Sequence, residues 1–269
     1  MTALKTIHTA ISAAKRCILE NLEQSSEQTG SVNPYGDKTL LLDMMAEEEI
    51  LSILQSSSID FAILTEEKGF VESDQTPEYL AIVDPIDGSA NIERGIPLVT
   101  IGISIVPYKD KMTTDDVEIS VIDSVFTEET YVAITGKGVS RNNKSVKVRP
   151  PVELEKAIVS YDTKKTWDSV YMDRSLKAIK SLHDIRRTAS NLLDLCWTAA
   201  GFLDGLVDLR DMLPIIHLSG THMVFEAGGY VLDIDGTRYC SPLKPDLMMN
   251  IVAASNETLA RQILAIFQS

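Results

Sequence analysis

Cysteine is scarce: three residues, at 17, 196 and 240, are too few and too scattered for a disulfide framework or a clustered metal motif. They read as buried thiols of a chain kept in a reducing compartment. Long apolar runs are also missing. Nothing approaches the roughly 20 residues needed to cross a bilayer, and Leu98 to Val106 is too short. Positive charge is thin, with 25 Lys and Arg against 39 Asp and Glu and a formal charge of -14. No global positive field therefore draws in a nucleic-acid backbone, although a local basic pocket is allowed. The amino end, Met1 to Glu20, carries Lys5, Lys15, Arg16 and Glu20 among spaced apolar residues, which reads as an amphipathic helix rather than an export signal. The expected setting is cytoplasmic, with neither membrane nor nucleic acid as a partner.

What is present is a globular balance of 44% hydrophobic and 24% charged residues. A chain of 269 residues can bury a large core as one domain or as two closely packed halves. Ile7, Ile11, Ala14, Ile18 and Leu22 recur at helical steps. Polar residues from Gln24 to Asn33 break that pattern before a turn at Pro34-Tyr35-Gly36. A second helix is predicted from Leu41 to Leu54, with Glu47, Glu48 and Glu49 mostly on its wet side.

Phe61 to Leu64 and Leu80 to Val83 are apolar runs of strand length that stop at acidic residues, which puts Glu66 and Asp84 near strand ends. Val99 to Val106 and Val117 to Val125 read as strands joined by a charged extension, and Tyr131 to Ile134 as another. Pro150-Pro151 marks a boundary between an amino-terminal half, 1–150, and a carboxy-terminal half, 151–269. In the second half the pattern predicts a strand at Ala157 to Tyr161 and helices at Ser169 to Lys180, Asn191 to Gly201, Ile215 to Ala227 and Glu257 to Phe267. Trp167 and Trp197 read as anchors of apolar layers, and His183 and His222 as core or helix-surface residues without a ligand cluster. The alternation predicts a layered α/β or α+β protein.

Chemistry concentrates in Asp84-Pro85-Ile86-Asp87-Gly88-Ser89. Proline restricts this backbone, while Gly88 lets it turn sharply and present amides to an anion. Two neighbouring carboxylates repel, and a shared divalent cation reverses that penalty. With Glu66 they offer the hard oxygen ligands that suit magnesium. On the residues alone three readings stay open: a metal-bound loop, a polar turn without ligand, and direct acid/base catalysis. Ser89 is either a turn donor or a hydroxyl that orients an attacking water, and Glu67 can exchange roles with Glu66.

These residues resemble the inositol monophosphatase and fructose-1,6-bisphosphatase superfamily, especially its small archaeal or bacterial-type members. Thr65-Glu66-Glu67 is similar to that family's early acidic motif, and Asp84 to Ser89, Asn91 and Gly95-Ile96-Pro97 to its metal and phosphate loop. Asp194-Leu195-Cys196, Ala199-Ala200-Gly201, Leu203-Asp204-Gly205 and Glu226-Ala227-Gly228-Gly229 extend the match over nearly the whole chain.

The resemblance implies an alternating α-β-α-β-α sandwich, a homodimer, and magnesium-dependent hydrolysis of a small sugar or polyol phosphate, with manganese as the other candidate ion. Inositol-1-phosphate leads and fructose-1,6-bisphosphate follows. It assigns Glu66, Asp84 and the Ile86 carbonyl to one metal and Asp84 with Asp87 to a second. Ser89 stands where a water-orienting threonine is usual, and the Gly88 and Ser89 amides receive phosphate. Ser190, Asp208 and Arg210 match substrate-facing positions. Ser190 can also simply cap its helix, and Asp208 and Arg210 can form a surface salt bridge. Asp43 matches an acidic position near the catalytic loop, and Asp37-Lys38-Thr39 a stretch that closes over phosphate.

One position departs from the family. Ten residues before Glu226, where the family carries a metal-binding aspartate, this chain has Ile216. The alternative implied is a phosphate-binding homologue with weak or lost turnover. His217 is a substitute ligand only if the helix start shifts, because adjacent helical side chains point differently. Asp211 is one only if its loop folds back.

Overall fold

A computed structural model describes residues 2–163 and 169–268; Trp167 lies outside the described residues. The chain begins with α1 (Ala3–Glu20), a hairpin of β1 (Gln28–Val32) and β2 (Lys38–Leu40), and α2 (Leu41–Gln55). Next come β3 (Phe61–Thr65), β4 (Gly69–Val71), β5 (Tyr79–Asp87), a single turn α3 (Ser89–Glu93) and β6 (Thr100–Pro107). The first large sheet is completed by β7 (Ile119–Ser124), β8 (Thr130–Ile134), β9 (Gly138–Arg141) and β10 (Lys144–Val146). Its eight strands run in the order β10-β9-β8-β7-β6-β5-β3-β4.

The rest of the chain holds β11 (Ile158–Tyr161), α4 (Ser169–Ser181), β12 (Asp184–Arg186), α5 (Asn191–Ala199) and β13 (Gly205–Pro214). It ends with α6 (Leu218–Glu226), β14 (Tyr230–Asp233), β15 (Met248–Ala254) and α7 (Glu257–Gln268). Here five strands form a second sheet in the order β12-β11-β13-β15-β14.

Side-chain alternation along the strands explains the stacking. In β5, Ala81 and Val83 join Ile7, Ile11, Leu42 and Ile50 of α1 and α2 on one face of the large sheet. Leu80 and Ile82 point the other way, into a layer with Leu192 and Leu195 of α5, Met223 and Val224 of α6, and Leu206 and Ile251 of the small sheet. The far face of the small sheet, with Val159, Val207 and Val252, is covered by Ala178 of α4 and by Leu259 and Ile263 of α7. The expected α-β-α-β-α sandwich is thus the observed one.

Several expectations are corrected. The expected turn at Pro34-Tyr35-Gly36 is present, but it joins two strands the pattern did not announce: β1 and β2 pair antiparallel, although the mostly exposed residues of β1 carry no apolar alternation. Glu47 is fully buried, unlike its exposed neighbours Glu48 and Glu49, and accepts a hydrogen bond from the Lys68 amide at 3.2 Å. Burial pushes its carboxyl up to about 7. Of the thiols, Cys196 alone is buried; Cys17 is half-buried and Cys240 exposed. Among the described residues no helix is long and apolar enough to cross a membrane.

His222 of α6 is the core residue the sequence suggested, and it carries a pH dependence. The Thr135 hydroxyl donates to the Val117 carbonyl, so its oxygen accepts from His222 Nε2 at 3.0 Å, leaving Nδ1 to accept from Ser120 at 2.8 Å. Burial lowers this imidazole from 6.5 to about 4. Between those values the unfolded chain binds the extra proton, so stability is present above pH 6.5 and is lost as pH falls toward 4. Urea melts of the native protein and His222→Gln should converge by up to ~3 kcal/mol between pH 7 and pH 4. A pH-independent gap would show that His222 does not titrate in this way.

Candidate metal centre

Asp84 and Asp87 are three residues apart, and in a regular strand they would face opposite sides of the sheet. They do not, because β5 carries a bulge. Asp84 pairs with Gly102 and Asp87 with Thr100, so three steps on one strand match two on the other. Both carboxylates therefore share the face that looks toward α5 and α6. Gly102 lets α5 and α6 close over that face beside them: a Cβ there would lie 2.4 Å from Leu192 Cδ1 and 3.0 Å from Ser219 Oγ.

The strand ends in Gly88, whose φ of 107° is in the left-handed region, and Ser89 then opens α3. Ser89 Oγ lies 3.2 Å from Asp43 Oδ1 and 3.2 Å from the Ile86 carbonyl. Asn91 holds the loop, donating at 2.7 Å to the carbonyls of Leu98 and of Thr188, which stands just before α5. Asp43, in the first turn of α2, is pushed up to about 7 by burial and the nearby Glu67.

A short 3-10 turn, Ile215–His217, precedes α6. It buries Ile216 completely and swings His217 onto the acidic pair, with Nε2 3.6 Å from Asp84 Oδ2 and 3.6 Å from Asp87 Oδ1. Ligand atoms of Asp84, Asp87 and His217 all lie within 4.8 Å of one another. Asp211 takes no part: it is exposed and bonded to Asn250.

Among the described residues no N–H or hydroxyl donor reaches either buried Asp84 oxygen, an arrangement that costs several kcal/mol (~3) for the ionised carboxylate until a cation or a proton shared with Glu66 neutralises it. Oxygen donors at this density, with one imidazole nitrogen, fit a divalent metal ion. Burial, with the surrounding carboxylates, raises Asp84 and Glu66 well above the usual carboxylate range. Burial pulls His217 down, yet Asp87 and Asp84 outweigh it and carry the imidazole up to about 9.

These groups floor a cavity of about 570 Å³. Glu66, Asp84, Ile86, Asp87, Gly88, Ser89 and His217 all line it, together with Asp43 and Lys38. Glu67 instead accepts a hydrogen bond from Thr39, so it is Glu66 that faces the site. Of the three expected substrate-facing residues, Arg210 alone reaches the cavity wall. Ser190 is fully buried behind it, capping α5 and donating to Asp87 Oδ2 at 2.7 Å. Asp208 is also buried and grips Arg210, with Nε at 2.8 Å. Their pairing is thus internal rather than a surface salt bridge.

Sequence reasoning missed Asp162 and Arg187. Asp162 links Arg210 at 2.9 Å to Arg187, also at 2.9 Å, and all three residues line the cavity. An arginine three residues ahead of a helix cap carries no motif of its own, and only the fold brings it to Asp162.

Comparison with known proteins agrees with this geometry. The inositol monophosphatase family model matches residues 2–269. A fructose-1,6-bisphosphatase/inositol-1-monophosphatase of Thermococcus kodakarensis is 31% identical, over 90% of this chain and 87% of that one. The fructose-1,6-bisphosphatase of Pyrococcus furiosus is 29% identical over 88% and 86%. Among solved structures, a hypothetical protein of Pyrococcus horikoshii with similarities to inositol-1 monophosphatase superposes with a TM-score of 0.78 at 28% identity, covering 98% of this chain and 95% of that one. With the family model spanning residues 2–269, the chain belongs to the inositol monophosphatase family.

Proposed function

We propose that the protein hydrolyses the phosphate monoester of a small sugar or polyol, with magnesium as its working ion, inositol-1-phosphate as the leading substrate and fructose-1,6-bisphosphate as the second. The observation that carries this reading is the pair of carboxylates brought onto one face by the β5 bulge, directly beneath the Gly88 turn, with no N–H or hydroxyl donor among the described residues on the Asp84 oxygens. Glu66, Asp84, Asp87 and the Ile86 carbonyl would hold the metal. Bound there, divalent cations make water more acidic and neutralise the charge of a transferring phosphoryl group.

The chain's own residues do the rest. The Gly88 and Ser89 amides receive the phosphate, and Ser89 Oγ orients the attacking water, taking its proton while giving its own hydroxyl proton to the Asp43 carboxylate. Arg187, the more exposed of the two guanidiniums, meets an anionic or hydroxylated edge of the substrate, while Arg210, its fork taken by Asp208 and Asp162, backs that wall with positive charge. Ser190 and Asp208 act one step back, holding Asp87 and Arg210 in place.

Phosphate release from inositol-1-phosphate should appear with magnesium and vanish with chelator; a purified protein silent with both substrates and both ions would overturn the reading. Ser89→Ala should lower kcat by about 10²-fold with KM little changed, and Ser89→Thr should retain turnover. An unchanged kcat in the alanine variant would remove Ser89 from the reaction.

Ile216 favours a second reading, a phosphate-binding homologue without efficient turnover. It predicts sugar-phosphate binding by calorimetry with no release under either ion. The proposed cytoplasmic homodimer is checked by light scattering, which should give twice the mass of one chain.

A further inference from the structure

We propose that His217 takes over as the ligand that Ile216 cannot be, and that the Asp84–Asp87–His217 position therefore selects Mn2+ over Mg2+. The inference rests on the metal-dependent reading above and narrows which ion that position takes.

Three observations carry it. The first is orientation. His217 Nδ1 lies 3.1 Å from the Pro214 carbonyl oxygen, which can only accept, so Nδ1 holds the hydrogen. Nε2 is then the nitrogen that faces the carboxylates, and a cation that displaces its proton would meet its lone pair, the arrangement by which a backbone carbonyl orients a metal-binding imidazole.

The second is spacing. A direct charge-assisted N–H···O bond is ~2.8 Å long, but Nε2 stands 3.6 Å from both Asp84 Oδ2 and Asp87 Oδ1. Ligands that share one cation at ~2.1 Å stand roughly 3 to 3.5 Å apart along the edges of its coordination shell. The observed gap is therefore closer to that of a shared ion than to that of a hydrogen bond.

The third is that, among the described residues, no N–H or hydroxyl donor reaches Asp84, whose one close neighbour besides His217 is another acid, Glu66. Both Asp84 oxygens are buried without such a donor, whereas Asp87 is already engaged by Ser190 Oγ at 2.7 Å and the Leu192 amide at 2.6 Å. Asp84 is thus held ready for something that the protein's own donors do not supply.

Donor chemistry then decides the ion. Mg2+ prefers oxygen ligands in a near-ideal octahedron, while imidazole nitrogen suits first-row transition ions, and Mn2+ accepts both carboxylate and imidazole. Exchanging one carboxylate for an imidazole also removes a negative charge, which weakens Mg2+ more than an ion that gains a nitrogen bond.

The test is metal binding to the intact protein, with Mn2+ and Mg2+ as the probes and no substrate present. Titration calorimetry should show Mn2+ binding at least ~10-fold tighter than Mg2+ at one position. Electron spin echo spectra of the Mn2+ form should carry 14N modulation. In His217→Gln that modulation should disappear and Mn2+ affinity fall by about 10- to 100-fold, while Mg2+ affinity changes little. In His217→Asp the preference should swing back toward Mg2+.

Saturating Mn2+ without 14N modulation in the native protein would overturn the proposal, and would make His217 a protonated counter-ion to the aspartates. The spectrum of the native protein decides this even if a variant misfolds. Because no hydrolysis is read, a protein that binds Mn2+ through nitrogen yet releases no phosphate would sink the proposed activity and leave this inference standing.

Discussion

Asp84→Asn should abolish metal-dependent phosphate release, by about 10³-fold or more (~4 kcal/mol), while making the metal-free protein more stable. The two effects have one cause. Asp84 is 1% exposed, no N–H or hydroxyl donor among the described residues reaches its oxygens, and burial has raised its carboxyl well above the usual range. Its ionised form therefore works against folding until a cation arrives. For a carboxylate with a raised folded pKa, this penalty grows as pH rises through the unfolded value and beyond. Asparagine removes the charge at almost constant volume, so the metal-free protein should gain on the order of 2 kcal/mol of stability at neutral pH, read as a higher melting temperature. The melting shift produced by added metal should shrink in the same variant. Scanning calorimetry with and without Mg2+ reads both, and a variant less stable than the native chain without metal would show that Asp84 serves packing.

Gly88→Ala should cost roughly 3 kcal/mol, or about 6–12 °C in melting temperature, and take phosphate release with it. A Cβ at this φ of 107° is strained in any setting, and here it would also lie 2.8 Å from the Leu98 carbonyl oxygen. That oxygen cannot move freely, because the Asn91 side chain ties it at 2.7 Å and ties the Thr188 carbonyl at the same distance. The substitution thus pushes on both walls of the site at once. Gly95→Ala is the control: its φ is 68°, but nothing lies within 4 Å of the added methyl, so it should cost only the backbone share of ~1 kcal/mol. Equal losses at the two positions would mean that the Leu98 contact does not matter.

Much of this arrangement was legible in the sequence because it follows from period and composition. The α1 stripe and the apolar runs ending at Glu66 and Asp84 appear in the structure as one helix and two strands of the large sheet. The layer order follows from the family resemblance and from alternating faces. What was not legible depends on departures from period. The β5 bulge that unites Asp84 and Asp87 leaves no mark in a pattern of spacing two. The β1–β2 hairpin has too few buried residues to show alternation.

His217 illustrates the same limit. The ordinary rule that neighbours on a helix diverge holds, but it works in favour of His217: the α-helix begins only at Leu218, and in the turn before it Ile216 points into the core while His217 faces Asp84 and Asp87. Ser190 and Asp208 were located near the site by motif, but motif does not distinguish a residue on the cavity wall from one buried behind it. Arg187 and Asp162 come together only through the fold of the second half.

The most direct test of the acidic loop as a metal and phosphate site is a high-resolution crystal structure of the protein with saturating Mg2+ and inorganic phosphate. The account predicts a cation on Glu66, Asp84 and the Ile86 carbonyl, with the phosphate on the Gly88 and Ser89 amides. A well-ordered site with no metal at Glu66 and Asp84 under those conditions would contradict it.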